Sequence, residues 1–309
     1  MTSNSSKSRI FKSLKSINKA PDAQYDTGID VPDLSDTIEF LTGLPGSNTL
    51  FLGRFSTKNL LSMMDEIGLI EHLRSIGFEK LIVDIDIDEN RISYFKLYWE
   101  EKIQSNQLID LRISETTFIP EKKYFDENLE YTQYDMIVIE WLAARNPIMT
   151  FDEQKPQLPG QASPGLGVLK YCFKMLYIMA KEVFKDGFLD IPDHMHGAIM
   201  YSKQFKFFDP AHEGIIRAMR RDLLNYSLSD VSWGAITGTI IDLDTGKPAI
   251  YNPGEQIHYV SERMKKYFES NKYKNIMIKY YEKKKYFFDY EEMLKRREII
   301  LQSKKIEDL

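Results

Sequence analysis

Between residues 80 and 88 the chain sets Leu81, Val83, Ile85 and Ile87 against Asp84, Asp86 and Asp88. A period of two puts one set on each face, so this stretch predicts a half-buried strand whose aspartates form its wet side. The turn Asp88-Glu89-Asn90 leads to an aromatic-rich strand over residues 92–99, and the two make a hairpin. Two more strands are predicted over 108–118 and 136–143. The second contains the run Met-Ile-Val-Ile, which marks a central position in a sheet, and Glu140 interrupts it.

Helical spacing appears elsewhere. Leu60, Leu61, Met64, Ile67 and Leu73 fall on one face of a helix over 59–76, with Ser56 as its N-cap, Gly77 as its stop and a short apolar strand at 49–55 before it. Residues 168–184 carry Leu169, Phe173, Leu176, Ile178 and Met179, apolar enough for a mostly buried helix, and a short strand follows at 187–191. Asp209-Pro210 opens a basic helix over 211–226, and Asp244-Thr245-Gly246 turns a hairpin over 238–251. The remainder reads as helical and charged, and residues 144–159, with three prolines, as an irregular connection.

This alternation of elements predicts an α/β protein with a mixed, mostly antiparallel central sheet flanked by helices. A flexible segment is expected over 1–48, a core over 49–210, and a helical and hairpin extension over 211–309. In the first segment Ile10, Phe11, Leu14 and Ile17 lie on a helical stripe among basic residues and serines, which suits a disordered tail, a membrane-surface anchor or a transit peptide. No run is long enough to span a bilayer. With 41 basic and 46 acidic residues, no overall field draws nucleic acid. The single cysteine, Cys172, excludes an internal disulfide and points to a reducing, cytoplasmic setting; its apolar helical neighbours Tyr171 and Phe173 make it core.

Candidate chemistry gathers between residues 161 and 207. The turn Gln161-Ala162-Ser163-Pro164-Gly165-Leu166-Gly167 opens a helix. Glycine lets backbone approach a ligand, and the first helical turn carries partial positive charge, so the stretch either cradles a phosphate or simply makes a tight loop. A helix candidate bearing His196, Ala198 and Tyr201 comes next, ahead of Phe205 and Phe207.

The order of these pieces resembles the GCN5-related N-acetyltransferase superfamily. Its members place a glycine-rich turn after the fourth strand, then a long helix, a short strand, and a helix whose tyrosine lies near the thiol end of acetyl coenzyme A. The resemblance implies an acyl-CoA N-acyltransferase-like core in which Gln161, Gly165, Leu166, Gly167 and Val168 bind the cofactor. It further implies that Tyr201 protonates the leaving thiolate and that Glu140 accepts a proton from the amine through water, with His196 as an alternative base or amine-positioning group. The acceptor would be a small-molecule or protein amine. The competing expectation is a non-catalytic protein of the same architecture that binds a protein partner through its carboxyl-terminal half.

Three other groupings carry weaker chemistry. Asp193, His194, His196, His212 and Glu213 include zinc- or iron-type donors, but nothing fixes a third ligand in space, and histidines near a helix start more often cap or pack, so no metal site is expected. Arg217 and Arg221 share a helix face that would grip a phosphate or pair with Asp222. Lysines interleaved with aromatics over 272–288 suit a packed terminal helix, since acids interrupt the positive run.

Overall fold

The structure, a computed structural model, describes residues 49–126, 132–152 and 156–309. The expected tail over 1–48 lies outside the described residues. A turn at Phe51–Phe55 leads to α1 (Thr57–Glu66), which is capped by Ser56 and Asn59 in a reciprocal box. Next come α2 (Leu69–Ser75), the strands β1 (Leu81–Ile87), β2 (Ser93–Trp99), β3 (Gln107–Phe118) and β4 (Tyr134–Ala144), and then α3 (Leu169–Glu182). After α3 the chain forms β5 (Gly187–Asp190), α4 (Met195–Tyr201), β6 (Lys206–Phe207) and α5 (Pro210–Asp222). It continues with α6 (Leu228–Thr237), β7 (Ile240–Asp242), β8 (Lys247–Pro248), β9 (Gln256–Tyr259), α7 (Glu262–Glu269), α8 (Asn271–Lys283), β10 (Tyr286–Phe288) and α9 (Tyr290–Ser303).

Seven strands form one sheet in the order β1-β2-β3-β4-β5-β9-β6. All its pairs are antiparallel except β4 with β5. The protein is therefore α/β with a mostly antiparallel mixed sheet, helices around it and a helical carboxyl-terminal part, as the alternating patterns predict. The central sheet also takes a strand from beyond residue 211, because β9 lies between β5 and β6.

Alternation along β4 and β5 assigns each face its own core. Ile137, Ile139 and Phe188 pack with α1, α2 and α3 on one side. On the other side Met136 and Leu189 meet Ile257, Met264, Tyr267, Phe268 and Tyr273, so α7 and the start of α8 cover that face. A third cluster joins α5, α6, α9 and the small sheet β10-β7-β8 around Trp233, Ile240 and Phe288. Tyr273, Tyr286 and Phe288 of the basic terminal segment thus pack, while Phe287 is exposed and Lys284 pairs with Asp242 at 2.6 Å.

Two expectations need correction. Residues 49–55 are not a strand: Leu52 and Gly53 adopt left-handed conformations, so Phe51 and Phe55 fold back on each other and enter the core together. The helix expected over 59–76 is two helices, divided at Gly68, whose φ of 79° lies where helical residues do not. Among the described residues, no helix is long and apolar enough to cross a membrane.

Candidate functional site

β4 and β5 run side by side only from Met136–Gly187 to Val138–Leu189. Asp190 still pairs with Gln256 of β9, yet no longer with β4, so the two parallel strands separate at that level. Just beyond it, Arg112 of β3 faces Trp141 while Ile113 faces Ile139, which leaves Glu140 as the extra residue of a β-bulge. A bulge bends its strand and re-aims the side chain, which is how an acid came to interrupt an apolar run. Glu140 is half-buried and accepts a hydrogen bond from Ser114 Oγ at 2.6 Å.

The glycine turn closes the far end of this opening. Gly165 bridges to Arg145, Leu166 N–H donates to the Ala144 carbonyl at 3.1 Å, and Asn146 N–H donates to that of Pro164 at 2.8 Å. Leu166 and Val168 are buried while Gly165 and Gly167 are exposed. Gly167 has a φ of 76°, which glycine adopts without strain. A methyl group at Gly165 would meet only Gln161 Nε2, at 4.0 Å, and one at Gly167 would meet nothing within 4 Å. The turn therefore offers backbone to open space at the start of α3, whose N-cap Val168 supplies no side-chain hydrogen bond.

Gln161 itself serves the turn. Its Oε1 accepts from Leu158 N–H at 3.1 Å and its carbonyl accepts from Gln157 Nε2 at 2.7 Å. Tyr201 ends α4 inside the main core, its ring 5.1 Å from that of Phe173 and 5.3 Å from that of Phe205. Burial pushes its phenol well above the ordinary range, reinforced by Asp190, so the group stays protonated. Cys172 is buried as expected, and burial pushes its thiol up to about 12.

His196 faces a different feature, a cavity of about 220 Å³ between α4, α6 and the β7–β8 hairpin. Asp193, His194, Ser232 and Tyr251 also line it, as do Ala235 and Ile236 of α6. The His194 and His196 rings stack 5.2 Å apart. Burial, and then the neighbouring His194, lower His196 to about 4, which makes it a neutral imidazole near pH 7. Gly160, just before the glycine turn, lies so close to His194 that a Cβ would come within 2.9 Å of its Nε2. Pro159, beside Gly160, also lines the cavity. Ser232, Ala235 and Tyr251 went unnoticed in the sequence because they lie far along the chain in ordinary helix and loop contexts.

The remaining candidates are committed to structure. His212 stacks on Phe207 with ring centroids 4.0 Å apart, and Glu213 binds Arg217 at 2.6 Å and accepts from Phe207 N–H. Among the described residues, no three His, Cys, Asp or Glu side chains gather as a metal donor set. Arg221 donates to Asp222 and to the carbonyls of Tyr281 and Lys284, and so ties α5 to the end of α8. Asp84 pairs with Lys102, and Asp88 caps its own hairpin turn.

Comparison with protein-family models, with curated proteins and with solved structures finds no match to this chain.

Proposed function

We propose that the chain is an acyl-CoA-dependent N-acyltransferase acting on an amine, with acetyl-CoA as the simplest donor. The observation that carries this reading is the opening in the sheet, where β4 and β5 part after Val138 and Leu189 beside the glycine turn. Among the described residues no strand pairs with that edge of β4 from Ile139 to Ala143, so its peptide groups suit the amides of an extended pantetheine arm. The open space at Gly165 and Gly167, next to the uncapped start of α3, suits a pyrophosphate. In both respects the arrangement resembles the GCN5-related acetyltransferases.

The cofactor would supply an acyl group activated as a thioester. The chain's own groups would then move two protons as the C–N bond forms and the C–S bond breaks. Glu140, held by Ser114, takes the amine proton through a water. Tyr201, kept protonated by burial, returns one to the departing sulfur.

Acetyl-CoA at about 1 mM should raise the melting temperature, because a ligand of the native state stabilises it by mass action. The absence of a shift would sink this reading. Tyr201→Phe should keep that shift and lower turnover by roughly 10²-fold, within the usual contribution of a general acid. Unchanged turnover would remove Tyr201 from the role. A second reading, a non-catalytic protein that binds a partner through its carboxyl-terminal half, draws support from one observation: Tyr201 lies deep against Phe173 and Phe205.

A further inference from the structure

A second pocket, of about 150 Å³, lies where α4 meets the end of α5 and the start of α6. Leu223 and Leu224 follow α5 and Leu228 opens α6, so one short turn brings leucines from both helices together. With Ile199 of α4 and Val231 of α6 they give the pocket an apolar lining. Arg220, in the last turn of α5, is the one charged side chain among the described residues that line it. Its Nη1 donates to Ser202 Oγ at 2.7 Å, and that hydroxyl donates in turn to the Ile199 carbonyl at 2.7 Å. The relay holds the guanidinium in place and leaves its other N–H groups to offer. Among the described residues Arg220 has no carboxylate partner. Asp222 is taken by Arg221 and by Tyr286 N–H, and Asp230 by the Ser227 cap; neither lines the pocket.

An apolar pocket with one oriented, unpaired guanidinium fits a ligand that carries one planar anion on a hydrocarbon body. A carboxylate matches the fork of arginine N–H groups two to one. An amine would meet Arg220 as a like charge, and a multiply charged phosphate would find a single cation beside apolar wall. At about 150 Å³ the space is well below the range of about 300–1,000 Å³ typical of drug-sized ligands, so it takes only a few carbons. We propose that this pocket binds a short aliphatic carboxylic acid as its anion. The carboxylate meets Arg220, and the chain lies among Ile199, Leu223, Leu228 and Val231. This site is independent of the acyltransferase reading, because none of its residues belongs to the opening in the sheet.

The test is a ligand-observed NMR titration of the full chain with hexanoate, with 1-hexanol and hexylamine as matched neutral and cationic controls. Hexanoate should bind at least about tenfold more tightly than the alcohol, a difference of about 1.4 kcal/mol, and the amine should not bind. Butyrate should bind about tenfold more weakly than hexanoate, since each buried methylene contributes about fourfold. Arg220→Gln, at an exposed position, should make acid and alcohol bind alike without moving the melting temperature. Leu224→Ser removes a lining side chain that is 81% exposed, so it should weaken acid and alcohol together, again with the fold intact. Absence of hexanoate binding at millimolar concentration, equal binding of the alcohol, equal binding of butyrate, or an unchanged preference for the acid in Arg220→Gln would each overturn the inference. Should Arg220→Gln fail to fold, the acid-to-alcohol ratio, the chain-length series and Leu224→Ser decide, and hexanoate binding indifferent to Leu224→Ser then overturns it.

Discussion

The two halves of β4 behave as different structures. From Met136 to Val138 the strand is locked on both edges, between β3 and β5. Asp186, buried just before β5, fastens this half: it accepts from Asp135 N–H at 2.8 Å, from Ser261 Oγ at 2.6 Å and from the Arg263 guanidinium. Burial alone would raise that carboxyl, but these donors outweigh it and hold the group below the usual carboxylate range. From Ile139 to Ala144 the strand keeps its β3 partner, bulges at Glu140 and faces the glycine turn across the opening. The contrast teaches that one strand can serve as fastening at one end and as binding edge at the other. Neighbouring strands, more than residue type, decide which.

That comparison can be broken from the locked side first. Gly187→Ala would drive a Cβ into the His258 carbonyl oxygen, backbone against backbone, where neither β5 nor β9 can yield. A loss of about 3 kcal/mol in urea unfolding is expected. Asp186→Ala should cost about 2–3 kcal/mol, less than breaking a fully buried pair, because Arg263 is half-exposed and finds water. Either variant leaving stability unchanged would remove the distinction.

Acid should sharpen the picture to a smaller degree. His196 is lowered from 6.5 to about 4 by burial, and burial also lowers His212 and His258. Between those two values the unfolded chain binds more protons than the folded one, so stability should fall as pH drops from 6.5 toward 4. The His196 share should be about 1–2 kcal/mol, allowing for its partial exposure. His196→Gln should remove that share of the slope in thermal melts, and an unaltered slope would place His196 in a wetter setting. The smallest effect belongs to the open side: Gly165→Ala meets only Gln161 Nε2, so its stability should stay within about 0.5 kcal/mol.

Much of this division was legible in the sequence. The alternation at residues 81–88 and the apolar run at 136–139 announced strands, and Glu140 stood out as the acid interrupting that run. The turn before α3 also stood out, through Gly165 and Gly167. Packing decided what spacing could not. Gln161 spends its side-chain oxygen on Leu158, and Tyr201 enters the core, because helix spacing does not tell which face turns inward. Residues 49–55 misled because two phenylalanines flanking a tight turn present the same composition as a strand. Short β9, only Gln256–Tyr259, gave no periodicity to detect, although it completes the main sheet.

The place of β9 has a consequence for how the protein emerges from the ribosome. β5 is synthesised by Asp190, but β9, which covers the edge that β4 leaves, begins at Gln256, and among the described residues β6 pairs with no other strand. At about 5–20 residues per second, the nascent chain spends several seconds with that edge unpaired. Its sheet then matches the template that invites pairing with a second chain. Translation stalled between those residues should therefore yield an aggregation-prone intermediate, which the arrival of β9 converts into a closed one.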